Sequence, residues 1–204
     1  MFSNSSFLDF CKSLKLTSPI IGLTSFNLYE HQKVLFDAFE NNNKVVARKF
    51  RQGGFTTLFA LYALWKLTTE KSISCFYTSF NDRACTDFIA LMRQIIDSAD
   101  LTFNFNSNSH EIKCSTTGST IFSYPYKAIC GKTVQYIFVD DAFITNDLKL
   151  KDSELLSSLY PMSNKLFIVE TPSPSSNYFE RLFKDNMLVG TALYFNGEEI
   201  GRAS

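Results

Sequence analysis

Four short runs that are apolar on successive positions constrain this chain more than any other feature: KVVARKF from Lys44, SISCFYTSF from Ser72, QYIFVDDAF from Gln135 and KLFIVETP from Lys165. A strand that is apolar on both faces has to be covered on both faces. Between the runs lie segments with helical rhythm. NLYEHQKVLFDAFENN repeats apolar residues at Leu28, Val34, Leu35, Ala38 and Phe39, and TTLFALYALWKLT is apolar nearly all round, as a buried helix is. DRACTDFIALMRQIIDSA follows Asn81, a suitable N-cap. Strands alternating with helices predict an α/β fold with a mainly parallel sheet and helices on both faces. LTFNFNSN and HEIKCSTTGSTIFSYPY alternate around a Thr-Thr-Gly-Ser turn and predict an appended antiparallel β-hairpin. DSELLSSLY and NYFERLFKD read as further helices. Residues 1–25 read as a loosely packed lead-in, and the tail after Met187 carries no clear pattern.

Length and charge narrow the classes. At 204 residues with 45% apolar content the chain suits a single domain with a full core. Twenty basic residues balance twenty acidic ones. That excludes a wholesale electrostatic grip on nucleic acid while leaving room for a local patch. Five scattered cysteines without CxxC spacing and two distant histidines argue against a zinc site and fit reduced thiols. No apolar run approaches the ~18 residues of a membrane span. A soluble intracellular domain with no membrane partner is expected.

In a doubly wound sheet, ligands sit at the carboxyl ends of the strands. Three of the four runs end there in polar chemistry: KFRQGGFTT, VDDAF and ETPSPSSN. In the first, Gly53 and Gly54 supply a turn, Thr56 a hydroxyl and the helix from Phe55 a positive dipole end, the parts of a phosphate-binding loop. The usual lysine directly before the Ser/Thr is absent, since Phe55 stands there, but Lys49 at the strand's end can point back across the loop. In the second, Asp140 suits Mg²⁺ held through water and Asp141 suits orienting an attacking water. In the third, Glu170 and Thr171 end a strand before a proline-stiffened loop that could sense a γ-phosphate. Each also has a plain structural reading: a simple turn, helix-capping aspartates, a capped strand exit. Their common order and position favour nucleotide chemistry.

On these residues the chain resembles the ATPase part of the large terminase subunit of tailed bacteriophages, a P-loop NTPase of the ASCE/RecA-like kind. KFRQGGFTT is similar to the family's deviant Walker A pattern, in which an upstream lysine serves the phosphates. Lys49, Arg51, Gln52, Gly54, Phe55, Thr56 and Thr57 fall on it. CGKTVQYIFVDDAF is similar to the segment containing Walker B, with Gly131, Asp140 and Asp141 in register. FIVETPSPSSNYFERLF is similar to the coupling motif. NLYEHQKVLFDAF resembles the adenine-side motif, with Tyr29 and Gln32 as candidates to stack on and hydrogen-bond the base. The likeness spans roughly residues 26 to 185. It implies ATP and Mg²⁺ as ligands, with Lys49 and Arg51 acting on phosphate charge, Gln52, Gly53, Gly54, Phe55, Thr56 and Thr57 forming the loop, Thr56 and Asp140 holding the metal, Asp141 serving the water and Thr171 coupling hydrolysis to movement.

The departures are specific. Asp141 stands where the family has glutamate, a methylene (~1.5 Å) shorter, and a misplacement of about 1 Å can lower a rate ~10²-fold. Gly53 replaces a larger apolar residue, and Cys130 stands where an arginine is expected before Gly131. Nothing after Met187 suits the family's C-terminal nuclease, so no DNA cleavage is expected. The resemblance implies a packaging motor in the infected host's cytoplasm, moving double-stranded DNA into a procapsid. Its partners would be the portal protein, a small terminase subunit, a separate nuclease and further copies of the chain in a ring. The alternatives are a nucleotide-binding or assembly module without turnover, motivated by Asp141, and a helicase-like RecA domain, which would want a second such domain. His31 is expected to face solvent, and Tyr77, Phe80 and the hairpin aromatics to lie in the core.

Overall fold

The computed structural model describes residues 4–18, 22–99, 101–125, 133–142, 159–171, 191–195 and 200–202. Helix α1 (Asn4–Ser13) and a two-stranded ribbon, β1 (Lys15–Ser18) with β2 (Gly22–Ser25), come first. Then follow α2 (Glu30–Asn41), β3 (Lys44–Arg48), α3 (Phe55–Thr69), β4 (Ser74–Ser79) and α4 (Asp82–Ser98). The rest is strand: β5 (Phe105–Ser107), β6 (Glu111–Cys114), β7 (Ser119–Ser123), β8 (Val134–Asp140), β9 (Ser163–Glu170), β10 (Thr191–Phe195) and β11 (Ile200–Arg202). Nine strands form one sheet in the order β11-β10-β3-β9-β8-β4-β7-β6-β5. Its centre, from β10 to β7, is parallel, and both edges are antiparallel.

The four apolar runs are the central strands β3, β4, β8 and β9, as their patterning requires. Val45, Ile137, Phe138, Phe167 and Ile168 have no exposed surface at all. On one face α3 is the keystone. Its Tyr62 lies against Phe138 and Phe167 of the sheet, while α2 brings Phe39 to stack on Phe167 at 4.1 Å and α4 brings Phe88 to stack on Tyr77 at 3.6 Å. Asn81 caps α4 as expected, accepting the Ala84 N–H at 2.8 Å. The opposite face (Val46, Phe76, Ile137, Val139, Leu166, Ile168) is equally buried. The helix expected in NYFERLFKD, and all but the last two residues of that expected in DSELLSSLY, lie outside the described residues. So do Cys130 and Gly131.

The hairpin forms between β6 and β7 through a turn at Ser115–Gly118, where Gly118 takes φ 74°. It is part of the main sheet, because β7 pairs in parallel with β4. One expectation is corrected, and the tail gains a structure. The lead-in is packed: Phe7, Cys11 and Leu14 are fully buried or nearly so, and Phe7 stacks on Phe36 at 4.3 Å. Phe7, Phe10, Cys11 and Leu14 repeat at helical spacing, which the Ser/Asn-rich surroundings obscured. The tail after Met187 supplies β10 and β11, and β10 pairs in parallel with β3.

Candidate active site

The order of the sheet brings the three polar strand ends together. β9 lies between β3 and β8, with Arg48 opposite Glu170 and Asp140 opposite Val169. At this carboxyl edge residues 49–57 line one side of an open cavity of about 570 Å³, and Phe80, Asp141 and Thr171 line the other. The loop from Phe50 to Gly54 follows from its residues. Gln52 and Gly54 both take left-handed backbone, φ 63° and 70°. A Cβ on Gly54 would sit 2.7 Å from Gln32 Nε2. A Cβ on Gly53 would sit 2.9 Å from Phe55 Cδ2 and 3.0 Å from Phe50 Cε2. The two phenyl rings fill the space that a larger residue at 53 would need. Thr56, in the first turn of α3, then faces the carboxylates.

Asp140, 3% exposed, gathers the site. It accepts from the Lys49 ammonium, from Thr56 Oγ1 at 2.6 Å and from the Tyr77 hydroxyl at 3.0 Å. Lys49 Nζ also lies 3.0 Å from Asp141 Oδ2. Burial alone would depress the lysine, but the charges of Asp140 and Asp141 together outweigh it and raise the ammonium above its usual range. Asp141 stands at φ 51°, a strained position for a non-glycine residue. Three bonds to β9 hold that turn: the Asp141 N–H to the Val169 carbonyl at 3.2 Å, the Ala142 N–H to Glu170 Oε1 at 2.8 Å, and the Thr171 N–H to Asp141 Oδ1 at 2.7 Å. Glu170 is 1% exposed, and its carboxyl is pushed well above the ordinary range by burial first and then by Asp141, against the pull of Lys49.

Lys49 therefore lines the cavity beside the loop, paired with the two aspartates. Oxygen donors from Thr56 and Asp140 converge, which suits a hard cation that also takes water and phosphate oxygens, as Mg²⁺ does. The ammonium and the α3 N-terminus suit a polyphosphate. Among the described residues no three His, Cys, Asp or Glu side chains cluster as a metal cage.

Arg51 and Gln52 are exposed on the loop, and Thr57 lines the cavity beside Thr56. Tyr29 is 63% exposed on the approach to α2. Gln32 is 1% exposed, and its amide is committed at both ends: Oε1 accepts the Tyr29 N–H at 2.9 Å and Nε2 donates to the Gly54 carbonyl at 2.8 Å. In this structure it braces the loop, with one of its two N–H groups and one of its two lone pairs engaged in these bonds. His31 is corrected from a solvent-facing residue to a loop contact, with Nε2 2.7 Å from the Gly53 carbonyl. Phe80 is corrected from core to cavity wall, at 48% exposure. Tyr77 is core, as expected, but its hydroxyl belongs to the Asp140 site. The full burial of Glu170 was missed as well; its place directly before Thr171 was the available signal.

No family model and no curated protein sequence matches the chain. Solved structures do match, all at low identity. The large terminase of bacteriophage HK97 aligns over 91% of this chain and 41% of its own, at 12% identity and a TM-score of 0.72. The large terminase of a thermophilic bacteriophage, in complex with ATP-gamma-S, aligns over 83% of this chain and 45% of its own, at 14% identity and a TM-score of 0.60. The large terminase ATPase domain of Thermus phage P74-26 aligns over 78% of this chain and 70% of its own, at 12% identity and a TM-score of 0.57. The chain thus shares the α/β fold of these large-terminase structures. It spans less than half the length of the first two of these proteins. Among the described residues no helix is long and apolar enough to cross a membrane.

Proposed function

We propose that this chain is an ATP-hydrolysing motor domain of a viral DNA-packaging terminase, driving double-stranded DNA into a procapsid. One observation carries the proposal: Lys49, Thr56, Asp141 and Thr171, contributed by three strand ends and α3, line one cavity, and the buried Asp140 bonds to both Lys49 and Thr56. Terminase structures of this fold include complexes with ADP and ATP-gamma-S, and that likeness supports the same ligand here. Thr56 and Asp140 would hold Mg²⁺, which supplies charge neutralisation on the phosphates when bound. Lys49 leaves the aspartates for the phosphates, and Arg51, exposed on the same loop, adds positive charge where charge develops in the transition state. Asp141, freed from Lys49, orients the attacking water. Thr171, bonded through its N–H to Asp141, carries the change to the segment that follows β9. Portal, small subunit, a nuclease elsewhere and further copies in a ring would complete the machine in the host cytoplasm.

The test is steady-state hydrolysis of Mg²⁺-ATP with and without duplex DNA, comparing wild type with Lys49→Ala. Activity that disappears in the variant supports the proposal, and activity indifferent to Lys49 sinks it. A second reading, a nucleotide-binding module without turnover, is favoured by one feature: both Asp141 oxygens are engaged by the chain itself. Tight ATP binding without hydrolysis, with turnover gained in Asp141→Glu, would select it.

A further inference from the structure

The carbonyls of Gly53 and Gly54 both bond to α2, the first through His31 and the second through Gln32, and the Gly54 carbonyl also accepts the Leu58 N–H at 3.0 Å as α3 begins. A carbonyl oxygen has no proton to give, so His31 must carry its hydrogen on Nε2, as it can in either charge state. In a planar trans peptide the C=O and the following N–H point in opposite directions, and the chain has no cis bond among its described residues. Holding those two oxygens against α2 therefore turns the N–H groups of Gly54 and Phe55 away from it. Adjacent N–H groups turned the same way form an anion-binding nest. The His31 ring is itself held in place. It stacks on Tyr29, with centroids 5.5 Å apart and planes 13° apart, and meets Phe50 and Phe55 at 5.2 Å each. Those phenylalanines flank Gly53, so ring packing and hydrogen bond fix the same peptide.

We propose that His31 is a positioning residue that presets the phosphate loop: by donating Nε2–H to the Gly53 carbonyl it holds the Gly54 N–H towards the cavity, ready for a polyphosphate. This deepens the nucleotide reading and rests on it. A loop already ordered loses less freedom on binding, so removing the bond weakens affinity for the phosphates. The base is not involved, and this separates the proposal from a stacking role passed through Tyr29.

The experiment titrates the full chain with ATP and, separately, with inorganic tripolyphosphate, which has no base, by calorimetry. His31→Phe keeps the ring packing and removes the donor, whereas His31→Gln offers an amide N–H to the same carbonyl, as Gln32 does next door. Loss of one hydrogen bond predicts affinity about three- to tenfold weaker in His31→Phe, equal for both ligands, with most of it restored in His31→Gln. Thermal melts verify folding, and His31→Leu replaces His31→Phe if the latter does not fold. Unchanged binding of both ligands overturns the proposal, as does a loss confined to ATP, which would place His31 on the base side. Wild type that binds neither ligand overturns the nucleotide reading and this proposal together.

Discussion

Two buried lysines, each set between two carboxylates, sit at opposite ends of the same sheet. At the amino end Lys66 lies 3.2 Å from Glu40 and 3.1 Å from Glu70. The Tyr62 and Tyr136 hydroxyls donate to those carboxylates at 2.6 and 2.8 Å, and the ammonium sits 4.3 Å over the Trp65 ring. At the carboxyl end Lys49 lies between Asp140 and Asp141 and lines an open cavity. One lysine is enclosed by rings and hydroxyls, so its charge serves only to tie α2, α3 and β8 together. The other borders space that a ligand can enter, and Asp141 beside it is strained. The same ion arrangement is enclosed at one end and reachable by a ligand at the other.

The largest effect expected from breaking this contrast is on hydrolysis. Lys49→Ala should lower kcat by ~10²–10³, the range for losing one group that stabilises transition-state charge. Its stability should fall as well, because the Asp140 carboxylate, 4% exposed, is left buried without its cation. Lys66→Met should cost stability alone. Removing one partner of a buried ion pair costs several kcal/mol, and with Glu70 partly exposed the low end applies, about 3 kcal/mol. That corresponds to a melting temperature lower by on the order of 10 °C, with kcat per folded molecule unchanged. Melts and turnover on both variants check this. Equal losses of turnover would erase the distinction between the two ends.

The sequence announced the open end better than the closed one. Strand-end chemistry is contiguous along the chain, so KFRQGGFTT and VDDAF could be recognised in place, and parallel pairing then brought them together. The Lys66 cluster draws Glu40, Tyr62, Glu70 and Tyr136 from α2, α3 and β8, and TTLFALYALWKLT gave no hint that its lysine faces inward. Residues that act across elements were also missed. His31 looked solvent-facing because its partner is a backbone carbonyl 22 residues away, which side-chain patterning cannot encode. β10 escaped notice because a strand added beside β3 needs only backbone pairing. Gln32 was noticed as a contact for a base, and its bond to the Gly54 carbonyl across 22 residues was not foreseen.

A smaller effect separates the two ends by pH. Glu170 has its folded pKa raised well above 4.5 by burial first, so the folded chain holds that proton more tightly than the unfolded one. The stability it lends is complete below about pH 4.5 and drains as pH rises towards the folded value, at up to about 1.4 kcal/mol per unit. Glu170→Gln keeps an oxygen for the Ala142 N–H and abolishes the titration. The variant should therefore gain on wild type as pH rises, read from urea midpoints between pH 4.5 and 8. A stability difference that stays constant across that range would show that Glu170 does not titrate there.

The smallest effect concerns strain, which occurs at both ends and so tests whether strain itself marks the site. Gln52 in the loop and Ser72 in the turn after α3 both take left-handed backbone, at φ 63° and 55°, and both are exposed. Glycine relieves such a residue but loses more freedom on folding, leaving a net gain below about 1 kcal/mol. Gln52→Gly and Ser72→Gly should thus stabilise the fold by similar small amounts. Only Gln52→Gly should change the KM for ATP, because a glycine there lets the loop leave the shape that faces the phosphates. Ser72→Gly should leave hydrolysis as it is, since its N–H bonds to the Thr117 carbonyl in the hairpin turn, at the end of the sheet away from the cavity. If Gln52→Gly leaves KM untouched as well, the left-handed residue is a by-product of turning between Phe50 and Gly53, and loop geometry is set by the two glycines and their α2 contacts alone.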